Sequence, residues 1–157
     1  MGDALKRRIK QTRFENPQQE ALLNLVIAGN YIREQLERAV GEHGITLPQY
    51  NVLRILRGVF PEGHPRCEIA TRMLDRAPDV TRIIDRLEEK SLVERDRAGS
   101  DRRHSIARIT RNGLRLLEGM EPTIQKAFGP LQRIAVRDCR ELSRICEAIY
   151  DEGVSSP

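Results

Sequence analysis

Cys67-Glu-Ile-Ala-Thr-Arg-Met-Leu-Asp-Arg-Ala-Pro-Asp-Val-Thr-Arg-Ile-Ile-Asp-Arg-Leu-Glu-Glu-Lys90 runs straight into Ser91-Leu-Val-Glu-Arg-Asp-Arg-Ala-Gly-Ser-Asp-Arg-Arg-His-Ser-Ile-Ala-Arg-Ile-Thr110. The order reads helix, tight turn, helix, strand, arginine-rich loop, strand. Pro78 opens the second helix, where its fixed φ is preorganised. Val80, Ile83, Ile84 and Leu87 then recur at i, i+3, i+4 and i+7, which makes one buried stripe. At 100° per residue, Arg82, Asp85 and Glu89 fall opposite that stripe, with Thr81 and Arg86 beside it. Residues 92–97 and 105–109 alternate as short strands, joined through Ala98-Gly99-Ser100. A short helix propping an exposed second helix, followed by a hairpin, is a winged helix-turn-helix pattern. Such a pattern places the second helix in a DNA major groove and the hairpin along the backbone or minor groove.

The first two turns of such a helix reach base edges, so Asp79, Thr81, Arg82 and Arg86 are the expected readers. Arginine pairs bidentately with guanine, and a threonine methyl can touch thymine. The overall charge, +4 with a sequence pI of about 9.2, says little by itself. Its placement says more. Arginines 95, 97, 102, 103, 108 and 111 stand against Asp96 and Asp101, so residues 95–111 alone carry 6 − 2 = +4. A local positive field of this kind suits phosphate binding, which releases condensed counterions.

The rest of the chain reads as helix. With 157 residues, one folded core is expected, and 32% charged against 4% aromatic residues suits a mainly α protein with a solvated surface. Residues 16–42 form a long helix with Asn16 as cap and Pro17 in its first turn. Its apolar residues, from Leu22 to Val40, cover more than one face, which predicts two packing partners. Gly41 and Gly44 end it. Thr46 caps a further helix with Tyr50, Val52, Leu53, Ile55 and Leu56 on its core face, and residues 58–65 read as a loop. Thr110 caps the helix after the hairpin. Pro122 is expected to kink that helix and Gly129-Pro130 to break it. A last helix covers residues 138–150.

The expected organisation is a basic N-terminal arm at 1–15, a helical dimerisation region at 16–45 and 112–150, a DNA-binding domain at 46–111 and a frayed tail at 151–157. The basic arm either follows DNA backbone or is disordered. With no signal-like or membrane-length apolar run, the chain reads as cytoplasmic, with no membrane partner. Cys67, Cys139 and Cys146 form no disulfide framework.

The hairpin carries Asp101-Arg102-Arg103, five residues His104 to Arg108, then Ile109-Thr110, after a run from Val80 to Arg95 that fits a recognition helix and first wing strand. On these residues the chain resembles the multiple antibiotic resistance regulator (MarR) family of bacterial repressors, over roughly residues 16–150. The resemblance implies a winged helix-turn-helix and an obligate homodimer built by interlocking first and last helices. It also implies that Arg103 enters the minor groove beside Arg102, while Asp101 holds the wing through an ion pair. Many relatives have glycine in the helix-turn-helix turn and before the first wing strand. Here those places hold Leu74-Asp75 and Ser91, which would be strained at positive φ, so the local turns are expected to differ from the family's.

Other readings are weaker. No His-Glu-x-x-His, Gly-x-Ser-x-Gly or phosphate-cradling loop supports catalysis, and no cofactor or metal is expected. His64, Cys67 and His104 follow no zinc spacing. A dimeric module lacking DNA binding is the other alternative. Release of DNA is expected through a small aromatic effector, with Phe14 and Tyr31 as candidate pocket residues, or through oxidation of Cys67 beside Arg66. Cys139 and Cys146 share a helix face, too far apart along it to bridge one another.

Overall fold

The computed structural model describes residues 3–11, 13–75, 79–96 and 105–151. Pro78, Arg97, the expected turn at Ala98-Gly99-Ser100, Asp101, Arg102, Arg103, His104 and residues 152–157 lie outside them. The described chain is mainly helical with one small antiparallel sheet. Its elements are α1 (Asp3–Ile9), α2 (Pro17–Gly41), α3 (Leu47–Arg57), β1 (His64–Pro65), α4 (Arg66–Arg72) and α5 (Val80–Glu89). They continue with β2 (Val93–Arg95), β3 (Ile106–Ile109), α6 (Arg111–Ala127), α7 (Gly129–Gln132) and α8 (Val136–Tyr150).

Local chemistry sets most of these boundaries. The Asn16 side chain accepts from the Gln19 N–H at 2.8 Å and starts α2. Thr46 and Gln49 form a reciprocal capping box on α3, which also explains why Gln49 is the one buried polar side chain among the described residues. The Thr110 hydroxyl accepts from the Gly113 N–H at 3.1 Å and starts α6. That helix runs through Pro122 as one element, and Phe128 caps it just before Gly129-Pro130.

Two segments depart from the sequence reading. Residues 3–9 are helical within the expected arm, and Leu5 is buried. A groove lined by Leu5, Arg8, Asn24 and Ile27 places α1 along α2. The expected loop at 58–65 contains β1, so the sheet has three strands in the order β1-β3-β2. His64 pairs with Ala107, and Val93 with Ile109. Gly63 makes this possible, since a Cβ there would lie 2.2 Å from the Ala107 carbonyl oxygen. A two-residue strand has too little pattern to read in advance.

The core lies under the helix-turn-helix. Val52, Leu53 and Leu56 of α3, Ile69 of α4, Ile84 and Leu87 of α5, Val93 of β2 and Met120 of α6 are all but fully buried. Complete burial of such side chains is worth about 1.5–3 kcal/mol each. The ends of the molecule differ. None of the residues of α8 is buried, and Leu22, Leu25 and Val26 on α2 are exposed.

Candidate nucleic-acid interface

The expected reading helix forms as its stripe dictates. Val80, Ile84 and Leu87 of α5 face the core, with Ile83 half-buried, while Thr81, Arg82, Asp85, Arg86 and Glu89 face outward. Asp79 has a local task, accepting from the Arg82 N–H at 3.1 Å as the N-cap of α5. Arg82 makes no ion pair among the described residues. Arg86 pairs with Glu89 at 2.9 Å on the exposed surface. Such a pair contributes only ~0.3–0.5 kcal/mol, so a base or phosphate can draw the guanidinium away.

The end of α5 keeps a left-handed turn without glycine, against the expectation that the local turn would differ. Ser91 has φ 57. Its N–H donates to the Glu88 carbonyl at 2.8 Å, and the Leu92 N–H donates to the Leu87 carbonyl at 2.9 Å. This is a Schellman motif with serine where glycine is usual, at a cost of about 1 kcal/mol. It turns the chain sharply into β2. Thr110 locks the turn from the other side, its hydroxyl donating to the Ser91 carbonyl at 2.8 Å and its N–H to the Leu92 carbonyl at 3.1 Å. The turn between α4 and α5 behaves differently, since neither Leu74 nor Asp75 is among the residues with positive φ.

Arg95 plays a part that the sequence reading missed. Counted there toward the positive field of the wing, its side chain instead folds inward, with 19% exposed. It pairs with Asp85, approaches Glu88 at 4.0 Å and donates to the Thr81 carbonyl at 3.4 Å. One guanidinium thereby fastens β2 to three positions along α5. Arg108 is likewise engaged, pairing with Asp96 across the two wing strands at 3.3 Å. Long-range pairing of this kind has no local signature; only the strand-to-helix distance, set by the Ser91 turn, brings Arg95 over α5.

The remaining candidates are placed as follows. Cys67 is exposed near the start of α4. Tyr31 is exposed on α2 and Phe14 is half-buried just before that helix. Fourteen residues separate Pro17 from Tyr31, about 20 Å of helix rise, so the two aromatics are not brought together within one chain. Among the described residues, no group of three or more His, Cys, Asp or Glu side chains is arranged to hold a metal ion. No helix among them is long and apolar enough to cross a membrane.

A short helix, a second helix with an outward arginine-bearing face, and a hairpin strand clamped to that face together define a winged helix-turn-helix DNA-binding protein. The MarR family model matches residues 45–105, from just before α3 to the residue before β3. A MarR transcription factor from Planctomyces limnophilus is 36% identical, covering 87% of this chain and 99% of that one, with a TM-score of 0.67. The transcriptional regulator MhqR of Bacillus subtilis is 28% identical over 116 residues, 71% of this chain and 78% of its own. CouR from Rhodococcus jostii RHA1, in a structure bound to p-coumaroyl-CoA, is 22% identical with a TM-score of 0.70, covering 87% of this chain and 95% of that one. CouR has also been solved on a 23-mer DNA duplex, a structure 24% identical with a TM-score of 0.70, covering 88% of this chain and 97% of that one. The chain belongs to the MarR family and is a DNA-binding transcriptional regulator.

Proposed function

We propose that the protein is a repressor that binds a pseudo-palindromic operator as a homodimer. The observation that carries this reading is the open apolar face at both termini. Leu22 and Val26 on α2, with Leu142, Ile145 and Ile149 on α8, are 41–62% exposed. An apolar surface at that scale on two helices fits a second copy of the same surface. One recognition helix reads few base pairs, and a two-fold dimer doubles them with half-sites about one helical turn, ~10 bp, apart.

In this reading Thr81, Arg82 and Arg86 meet base edges, and Asp79 sets the start of their helix. Asp101, Arg102 and Arg103 act from the wing. CouR binds DNA and p-coumaroyl-CoA, which supports operator binding here and release by a small aromatic ligand. The alternative mode of release is oxidation of the exposed Cys67 thiol by peroxide to a sulfenic acid, with water as the other product.

Selecting bound sequences from a random DNA pool tests the reading, with a two-fold-symmetric consensus as the expected result. Arg82→Ala or Arg86→Ala should then cost ~1–3 kcal/mol at particular base positions. Arg103→Ala should weaken all sites evenly and flatten the salt dependence. A chain that sediments as a monomer at micromolar concentration, or wild-type affinity in all three variants, overturns it.

A further inference from the structure

Leu74 and Asp75, which follow α4, are held by polar contacts from other helices. After Met73, which caps α4 in extended conformation, Leu74 points its side chain into solvent and is 84% exposed. The start of the turn therefore has no apolar anchor at Leu74. Two polar side chains from other helices reach it instead. The Asn51 side chain of α3 accepts from the Leu74 N–H at 2.9 Å. Arg33 of α2 donates to both carboxylate oxygens of Asp75, at 2.7 and 3.4 Å. The fork geometry fixes orientation as well as distance. The hydrogen bond and charge of Arg33 hold the Asp75 carboxyl below its ordinary range, so the pair stays ionised at neutral pH.

Arg33 also occupies a telling place on α2. Counting 100° per residue, positions 22, 26, 29 and 33 fall within about 60° of one another on the helix. Arg33 thus ends the stripe that Leu22 and Val26 begin, and the same helix face runs from the open apolar patch to the helix-turn-helix turn.

We propose that the Arg33–Asp75 pair is a positioning brace, setting the start of the recognition helix relative to α2 and so tuning operator affinity. The proposal rests on the DNA-binding reading above. Asn51 fixes the turn's backbone to the reading domain, whereas Arg33 fixes it to the long terminal helix. Arg33 thereby ties the turn to the same α2 whose Ala39 and Val40 are packed in the core.

The test uses an effect of opposite sign. Asp75 is a negative charge in a DNA-binding unit, so bulk electrostatics alone predicts that Asp75→Asn tightens DNA binding. The brace predicts that it loosens operator binding. Operator affinity is measured by fluorescence anisotropy for full-length wild type, Arg33→Ala, Asp75→Asn and the charge swap Arg33→Asp with Asp75→Arg. Thermal unfolding is followed in parallel. Each single variant is expected to bind the operator about two- to fivefold more weakly, as befits an exposed pair, with its melting temperature little changed. The charge swap is expected to regain most of that loss, which independent sites would not do. Unchanged or tighter binding by Asp75→Asn, or a swap no better than the sum of its singles, overturns the brace. Wild type that binds no selected DNA sinks the functional reading instead, so the two failures are distinct.

Discussion

The helix-turn-helix and the terminal helices use similar apolar residues to opposite effect. In the reading half, Leu53, Leu56, Ile69 and Leu87 are completely buried, so one chain finishes that core by itself. In the terminal half, α8 carries Val136, Leu142, Ile145 and Ile149 at amphipathic spacing, yet every one is 40% exposed or more. The first region is a complete fold and the second is half of one. Strength of pattern does not separate them; availability of a partner within the chain does.

Breaking the incomplete half should have the largest effect. Leu22→Glu or Ile145→Glu places a charge in the proposed shared face without touching the reading core. A monomer should result by sedimentation, with operator affinity down ~100-fold or more, since two linked half-sites become one. A dimer that persists in both variants would remove the contrast drawn above.

Arg95→Ala probes the complete half. It strips α5 of its clamp and leaves Asp85 and Glu88 with a lost partner, for about 1–2 kcal/mol of destabilisation. Operator affinity should fall with it, because Arg95 holds Asp85 and the Thr81 carbonyl on the face of α5 that carries Arg82. Denaturant unfolding with and without operator separates the two losses, and a variant as stable and as tight as wild type contradicts the clamp.

The smallest change should run the other way. Ser91→Gly relieves the left-handed backbone at the end of α5 and should stabilise by about 1 kcal/mol. For a chain of this size that is ~2–4 °C in melting temperature. A lower melting temperature would mean that the serine side chain supplies more than its backbone strain costs.

Much of the fold was legible because its signals are local. Asn16, Thr46 and Thr110 declare their helices through the cap, and the stripe from Val80 to Leu87 declares the orientation of α5. Ser91 was singled out through the family resemblance, but its left-handed backbone was not foreseen, because the sequence alone does not show that the turn is kept without glycine. What else escaped was tertiary. β1 is a strand only because Gly63 lets it approach Ala107. Arg95 and Arg108 look like wing cations until the sheet turns each toward a carboxylate. The segment at 3–9 reads as a basic tail until Leu5 finds α2. Of the candidate site, the outward face of α5 could be read directly, while the Arg33–Asp75 pair joins residues 42 positions apart with no motif between them.

The strand order β1-β3-β2 has a kinematic meaning. α4 begins directly after β1, α5 ends just before β2, and α6 begins just after β3, the strand between them. All three helices are thus rooted in the same few peptide units. α4 and α5 do not swing separately about that root. They travel together, as a tool fixed in one chuck, and α6 is the shaft leading out of it.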